Sequence, residues 1–260
     1  MSEIPHALPL HAHATALAAP CHVVIPCAGS GSRAGLSSPK QYEVLAGQRL
    51  IDHTVAAFLL VERVVSVTVV VAPDDEVYQS SHPRVSVLRK GGATRAHSVF
   101  NGLANLLASG VPQTDWVLVH DAARCLVTSA QINALVNACE SSGLGGLLAL
   151  PLPDTLKVAA VREGQPRVSA TLDRSDKWLA QTPQMFRLGD LHRALAQAEP
   201  NGFAGITDEA SAMEARGFEP LLVQGSAHNF KVTYPDDFAL AEAVLLQRRA
   251  TSQSTTVTHS

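Results

Sequence analysis

The sequence lacks the features that mark membrane, secreted and nucleic-acid-binding proteins. No apolar run reaches the roughly 18 to 20 residues of a membrane-spanning helix. Residues 1–20 contain no Lys or Arg, so the basic start of a signal peptide is missing. A net charge of -3 gives no general attraction to nucleic acids or anionic membranes, so any basic site must be a local concentration of Arg and Lys. We therefore expect a cytoplasmic protein with no nucleic-acid or membrane partner.

Cysteine and histidine occur without the spacings of metal sites or disulfide frameworks. The 4 cysteines form no paired ligand motif, which favours reduced thiols. The 11 histidines include no His-x-x-x-His pair, so solvated or core side chains are the better interpretation. Residues 1–20 and the Ser/Thr-rich residues 251–260 are expected to be disordered. The remainder, 21–250, is long enough for one large domain with a substantial core.

What is present is an alternation of strand-like and helix-like segments. Two continuously apolar segments, 67–71 and 145–150, are typical of strands covered on both faces. The alternation predicts an α/β sandwich around a mostly parallel sheet. The predicted strands are 22–28, 64–72, 85–88, 116–120, 146–150 and 219–223. The predicted helices are 50–61, 94–109, 129–141, 188–198, 208–216 and 235–247.

Residues 151–178 interrupt this alternation. Two strand-like segments, 154–158 and 167–172, flank a polar turn at 162–166. The pattern indicates a β-hairpin that is too polar to have a core of its own, and an isolated hairpin is barely stable in water. We therefore expect this β-arm to pack on another surface, with a second subunit as the candidate.

A glycine-rich loop after the first apolar strand is the most informative local feature. It runs through Cys27-Ala28-Gly29-Ser30-Gly31-Ser32-Arg33, and Pro39-Lys40 follows. It is not a dinucleotide fingerprint, because Ala34 replaces the third glycine, and Lys40 is not followed by the Ser or Thr of a P-loop. Bendable backbone with two cations after a buried strand predicts a polyphosphate site of a third kind. The alternative for Arg33 and Lys40 is two solvated surface charges.

Two further clusters follow strand ends. Thr94 predicts a helix N-cap, and Gly92 belongs to a glycine pair that would let a flat base approach the backbone, with Ser98 available to hydrogen-bond it. Asp121 ends an apolar strand, so it is either a loop cap or a ligand for Mg²⁺ or a hydroxyl. Arg124 is a candidate for holding an anionic substrate.

Other polar positions have ordinary structural explanations. Thr155, Arg174, Thr182 and Lys231 each fit a turn residue or a charge at a strand edge. The segment Thr207-Asp208-Glu209 fits a helix N-cap with an acidic first turn, which the helix dipole stabilises. We interpret its two acids as structural first.

In this order, the motifs resemble the 2-C-methyl-D-erythritol 4-phosphate cytidylyltransferases of nonmevalonate isoprenoid synthesis. The resemblance runs from about Val23 to about Leu246, and the ordered set of short motifs is highly specific. Its segments are Ala-Gly-Ser-Gly-Ser-Arg33, Pro-Lys40-Gln-Tyr, Gly-Gly-Ala-Thr-Arg95-Ala-His-Ser98, Val-His-Asp121-Ala-Ala-Arg124, Asp-Arg174, Gln-Thr182-Pro-Gln, Ile-Thr-Asp-Glu-Ala-Ser and Lys231-Val-Thr. The resemblance implies a Rossmann-like nucleotidyltransferase fold, a three-layer α/β/α sandwich, together with Mg²⁺ dependence and a homodimer whose β-arm reaches into the partner's active site.

The resemblance also implies a role for each matching residue. The implied catalytic cations are Arg33, Lys40 and Lys231. The implied nucleotide-binding residues are Cys27, Ala28, Gly29, Ser30, Gly31, Gly92 and Ser98. The implied substrate contacts are Asp121, Arg124, Thr155, Arg174 and Thr182, with Thr155 and Arg174 supplied by the other subunit's arm. Mg²⁺ is expected mainly on the CTP phosphates, with Asp121 as a candidate ligand.

The implied reaction transfers CMP from CTP to 2-C-methyl-D-erythritol 4-phosphate and releases pyrophosphate. Three alternatives stay open: a sibling enzyme for ribitol 5-phosphate or another polyol phosphate, a nicotinamide-dependent oxidoreductase, and a nucleotide-binding regulator without turnover. Where the family often has Ala, Asp and Pro, this chain has Cys27, Ala93 and Cys125. The resemblance therefore does not carry over to Ala93 any side-chain contact with the base or ribose. We expect no fused second enzyme after the tail.

Overall fold

The structure, a computed structural model, describes residues 19–29 and 39–257, with side chains described as far as residue 251. Its strands are β1 (Cys21–Pro26), β2 (Val44–Leu45), β3 (Gln48–Arg49), β4 (Val64–Val70), β5 (Val85–Leu88), β6 (Trp116–Val119), β7 (Gly146–Pro151), β8 (Leu156–Arg162), β9 (Gln165–Leu172), β10 (Trp178–Arg187) and β11 (Leu221–Gln224). Its α-helices are α1 (Leu50–Leu59), α2 (Arg95–Ala108), α3 (Ser129–Ser142), α4 (Leu188–Ala198), α5 (Glu209–Glu214) and α6 (Pro235–Val257).

Seven strands form one central sheet in the order β11-β7-β10-β6-β1-β4-β5. Neighbouring strands are parallel, except that β10 runs antiparallel to both β6 and β7. The prediction of a mostly parallel sheet is confirmed. The two glycine-rich clusters and Asp121 all follow carboxyl ends of its strands, where open α/β sheets bind ligands.

Helices cover both faces of the sheet. In β1, Val23 and Ile25 pack with α1 and α3, whereas Val24 points the other way and packs with α2, α4 and α5. All three side chains are completely buried, and each burial contributes about 1.5–3 kcal/mol. The run of β-branched residues in β1 thus reflects burial on two faces, which confirms the three-layer sandwich.

The predicted helices are all present, but one central strand was missed. Strand β10 lies between β6 and β7, yet its middle reads Gln-Thr-Pro-Gln rather than as an apolar run. Pro183 argues against a central strand in sequence, because proline cannot donate to the ladder. The sheet accommodates it at an irregularity between Ala180 and Gln184, where the Thr182–Pro183 peptide is cis. The two-residue strands β2 and β3 were also missed.

The tail prediction was wrong over residues 251–257. Helix α6 continues through them to Val257, beyond the predicted end at 247. Its buried side chains Ala241, Val244 and Leu245 pack on the β2 segment and on the loop after β6. The disorder predicted for residues 1–18 and 258–260 concerns positions outside the described residues.

The β-arm is confirmed as a hairpin of strands β8 and β9, paired only with each other. Every residue of β9 is exposed, and Val161 and Val168 are 76% and 67% exposed. The arm therefore carries apolar surface that the described part of its own chain does not cover. Among the described helices, none has both the length and the hydropathy needed to cross a membrane.

Candidate active site

A cavity of about 560 Å³ opens at the carboxyl ends of β1 and β6 and beside the start of α2. The sheet therefore brings together segments that lie more than 200 residues apart in the chain. The predicted site residues that line this cavity are Cys27, Ala28, Gly29, Lys40, Gly92, Ser98, Asp121 and Lys231. Ser30, Gly31 and Arg33 lie outside the described residues, so their predicted contacts with phosphate stay predictions.

Gln41 fixes the backbone at the start of the glycine-rich loop. Its buried amide donates to the carbonyl oxygens of Cys27 and Gly29, at 3.0 Å each. The next residue back, Lys40, is half-buried, and its ammonium donates to the Val232 carbonyl at 2.7 Å. Lys40 is thereby tied to the segment that carries Lys231. Sequence reasoning gave Gln41 no role, because a glutamine after a lysine has no distinctive spacing.

The glycine pair is required by close packing. A Cβ on Gly91 would stand 2.3 Å from the Ala28 Cβ and 2.7 Å from the Val71 carbonyl oxygen, so only glycine fits between β1 and β4. The Ser98 hydroxyl accepts from the Gly92 amide at 3.0 Å and donates to the Thr94 carbonyl at 3.1 Å. Ser98 thus shapes the loop that lines the cavity, while its predicted bond to the base stays a prediction.

Asp121 is the centre of the charge network at the floor of the cavity. Its Oδ1 accepts from the Arg95 Nε at 2.6 Å, and its Oδ2 lies 2.9 Å from the Lys231 ammonium. Arg124 Nε is 3.7 Å from the same Oδ2. On its far side, the Arg95 guanidinium makes a bidentate pair with Glu209 at 2.7 and 3.0 Å. Three cations and two carboxylates therefore stand in one connected group.

The network keeps Asp121 ionised. Burial by itself would raise the pKa of this carboxyl, but the charges of Arg95, Lys231 and Arg124 outweigh burial and hold the pKa well below its usual range. The pKa of Arg95 is raised in turn, because the carboxylates of Glu209 and Asp121 outweigh the effect of its burial. Asp121 and Arg95 therefore both keep their charges near neutral pH.

Asp121 does not fit the predicted role of a magnesium ligand. Both of its oxygens are paired with cations, and the residue is only 7% exposed, so a metal ion would have to displace Arg95 or Lys231. The described parts of the chain contain no group of three or more His, Cys, Asp or Glu side chains that could hold a metal ion. The chemistry of these residues suits an anion rather than a cation.

A buried imidazole connects Thr182 to the Asp121 segment. Burial lowers the pKa of His120 to about 3, so the ring is neutral. Its Nε2 must donate to the Arg124 carbonyl at 3.1 Å, which leaves Nδ1 to accept from the Thr182 hydroxyl at 3.0 Å. The same hydroxyl accepts from the Asp121 amide at 3.0 Å. Thr182 therefore holds the Asp121 backbone, and its predicted contact with substrate stays a prediction.

The remaining predicted residues lie away from the cavity. Arg124 is mostly buried, and its guanidinium donates to the Asn229 carbonyl at 2.7 Å, which orients it behind Asp121. Thr155 and Arg174 are exposed at the base of the β-arm and do not line the cavity of their own chain. This placement matches their expected use by another subunit, which stays a prediction.

Two members of the network, Arg95 and Glu209, were not predicted as site residues. Glu209 is 1% exposed, although its position after the N-cap Asp208 made a structural role sufficient. Arg95 offered a usable signal. A cation in the first turn of α2 opposes the helix dipole, and such a placement needs a carboxylate partner or a ligand to offset it.

Comparison with known proteins shows which family the chain belongs to. The family model "IspD: 2-C-methyl-D-erythritol 4-phosphate cytidylyltransferase" matches residues 21–247. The chain belongs to this family. The single-function cytidylyltransferase of Chromobacterium violaceum is 51% identical over 228 residues, which are 86% of this chain and 97% of that relative. The predicted family is confirmed, and the chain is a nucleotidyltransferase.

Two further relatives place the chain within the IspD family. The bifunctional IspD/IspF enzyme of Albidiferax ferrireducens is 58% identical over 231 residues, which are 88% of this chain. The chain spans about half of that relative's length, since the match covers 53% of it. The crystal structure of Francisella tularensis IspD has a TM-score of 0.72 at 36% identity, and the match covers 85% of this chain and 98% of that one. The nucleotidyltransferase fold is therefore shared along nearly the whole IspD length.

Proposed function

We propose that the chain transfers CMP from CTP to 2-C-methyl-D-erythritol 4-phosphate, giving the cytidine diphosphate adduct and pyrophosphate. The family establishes this activity, and one observation ties it to this chain: the ammonium groups of Lys40 and Lys231 belong to one cavity beside a glycine-lined loop. Two cations from opposite ends of the chain suit a polyphosphate that is attacked within the same space.

The proposed chemistry needs no general base. The attacking group is a substrate phosphate oxygen, which is already largely ionised near neutral pH. It attacks the α-phosphorus of CTP in line, and pyrophosphate leaves on the opposite side. Lys40 and Lys231 then contribute by positioning the two anions and by neutralising the charge that develops. His120 has no part in proton transfer, because its ring is buried and neutral.

We propose that the cytosine and the triphosphate of CTP occupy different parts of the cavity. We place the cytosine against Gly92 and Ala28, where the glycine pair brings the backbone close to the cavity. We place the triphosphate along Gly29 and Lys40. Arg33, which follows Gly29 closely in sequence, is proposed as a further cation. Mg²⁺ is proposed to enter with CTP on its phosphate oxygens, since Asp121 does not fit a metal ion.

We also propose that the chain works as a homodimer through the β-arm. The support is the exposed apolar surface of the arm, because Val161 and Val168 have nothing to pack on among the residues that the structure describes. Thr155 and Arg174, which flank the hairpin, would then reach the other subunit's cavity. Arg162 and Gln165 close the hairpin at its far end.

Replacing Val161 and Val168 by Asp should yield a folded monomer in analytical ultracentrifugation, and a dimer of unchanged affinity would refute the proposal.

A cytoplasmic location is proposed from the thiols. Cys21, Cys27, Cys125 and Cys139 are all free and buried. Free thiols persist where the compartment is reducing. Alkylation of the protein in intact cells, followed by mass spectrometry, should find all four reduced.

The decisive test measures pyrophosphate release with CTP, ATP, GTP and UTP, each with and without methylerythritol phosphate. We expect release only with CTP and the sugar phosphate together, and a parallel reaction with ribitol 5-phosphate tests the sibling activity.

Lys40→Ala and Lys231→Ala should each lower turnover by about a hundredfold or more, because each removes one charge-neutralising cation. Their circular dichroism should be unchanged. Near-normal turnover in both variants would exclude the mechanism.

A further inference from the structure

Glu209 and Arg95 connect helix α5 to Asp121 and Lys231 in the cavity. The Glu209 side chain is 2% exposed, and both of its oxygens accept from the terminal nitrogens of Arg95. The remaining guanidinium nitrogen, Nε, donates to Asp121 Oδ1 at 2.6 Å. All three nitrogens of the Arg95 guanidinium thus donate to carboxylates, which fixes the plane of the group.

The orientation of Arg95 decides which oxygen of Asp121 meets Lys231. Since Arg95 occupies Oδ1, the Lys231 ammonium lies against Oδ2, at 2.9 Å. The 36% exposure of the Lys231 side chain contrasts with the 9% of Asp121, so the lysine extends from a buried carboxylate toward the open cavity. A carboxylate shared by several cations also holds each of them less tightly than a carboxylate with one partner.

We propose that Glu209 and Arg95 are positioning residues for cytidylyl transfer. Glu209 fixes the guanidinium of Arg95, and Arg95 fixes Asp121 so that the Lys231 ammonium is held in position in the cavity, where it would neutralise charge on the reacting phosphates. This inference rests on the proposed function. Arg95 lines the cavity whereas Glu209 does not, so Glu209 acts through Arg95.

The charges of the network predict how kcat and KM change when Glu209 is replaced. Glu209→Gln keeps the size of the side chain but replaces one acceptor oxygen by an NH₂ group, which cannot accept from Arg95. One terminal nitrogen of Arg95 then lacks its acceptor, so the guanidinium is no longer held in one plane and is drawn toward Asp121, its remaining carboxylate partner. The Asp121 carboxylate shifts with it, and the Lys231 ammonium loses its present position against Oδ2. We therefore expect a lower kcat, whereas the KM for CTP changes little, since Lys40 and the glycine-rich loop are unaltered.

The experiment is a double-mutant cycle between Glu209 and Lys231. In the otherwise unchanged protein, Glu209→Gln should lower kcat by about 10- to 100-fold, as expected for a displaced catalytic group. In the Lys231→Ala background, the same change should lower kcat by less than about threefold, because the residue through which it acts is gone. Asp190→Asn is the matched control: it breaks the exposed Asp190–Arg193 pair on α4 and should leave kcat unchanged.

The conservative variant Arg95→Lys provides the second line of the test. A lysine keeps the charge between the two carboxylates but cannot make three planar donations, so it should reproduce the loss of kcat. An unchanged kcat in folded Glu209→Gln, or an equal loss in both backgrounds, would overturn the inference. So would unfolding of both Glu209→Gln and Arg95→Lys, because the pair would then be structural alone. An unmodified protein without CTP-dependent turnover would instead overturn the proposed function.

Discussion

Replacing Asp121 by Asn tests whether the charge network is a source of stability as well as of reactivity. The change is nearly isosteric, but it leaves Arg95, Lys231 and Arg124 facing a neutral group, and among the described ion pairs of these cations Glu209 is the remaining carboxylate. Two unit charges about 4 Å apart interact by about 4 kcal/mol at an effective dielectric constant of about 20, and desolvation offsets part of this. Removing one partner of a buried pair costs about 3–5 kcal/mol, which we expect here because the Asp121 side chain is 9% exposed.

The assay is urea unfolding followed by tryptophan fluorescence, with the buried Trp116 as the main reporter. The contribution of Asp121 to the free energy of unfolding depends on pH in a direction that its pKa fixes. The pKa of Asp121 is depressed in the folded protein, so its contribution is complete above the unfolded pKa of about 3.9 and declines as the pH falls below it. The difference in free energy of unfolding between the two proteins should therefore be constant from pH 5 to 8 and narrow below about pH 4. A difference under about 1 kcal/mol at pH 7.5 would refute the reasoning.

Three other predictions follow from single residues. Gly91→Ala should lower the free energy of unfolding by about 1–3 kcal/mol and raise the KM for CTP, because the new Cβ would overlap Ala28; an unchanged denaturation midpoint would contradict this. The His120 ring should show no protonation in NMR titrations between pH 5 and 8, since burial lowers its pKa to about 3; a titration near pH 6.5 would contradict this. Burial raises the pKa of Cys27 to about 12, so its thiol should react with Ellman's reagent only after unfolding, and rapid native labelling would show the site to be more open.

Much of the fold was predictable because burial on two faces leaves a direct record in sequence. The apolar runs of β1 and β4 and the capped starts of α2 and α5 were all recognised, and Thr94 and Asp208 are the N-caps of the two helices. Strand β10 was missed because its middle consists of polar residues around Pro183. These polar residues can be buried because another segment satisfies their hydrogen bonds. The amide of Gln184, for example, donates to the Asp208 carboxylate and accepts from the backbone N–H of Ala210.

The site was predictable in its members more than in their arrangement. Lys40, Asp121 and Lys231 were found by residue type and position, and all three line one cavity. Asp121 was also a candidate magnesium ligand, and the structure places a cation against each of its two oxygens. A sequence shows that an acid follows a strand, but it does not show which charges the fold places beside that acid.

By itself, the sequence determined the α/β class and the family, because these depend on hydrophobic patterning and on short ordered motifs. Only the tertiary structure decided how the charges are shared. Arg95 and Glu209 are 114 positions apart, and their pairing exists because α5 packs near the start of α2. Long-range ion pairs depend on where elements pack, and packing brings together residues with no local pattern in common. For that reason, the contacts that orient Lys231 could be read only from the folded chain.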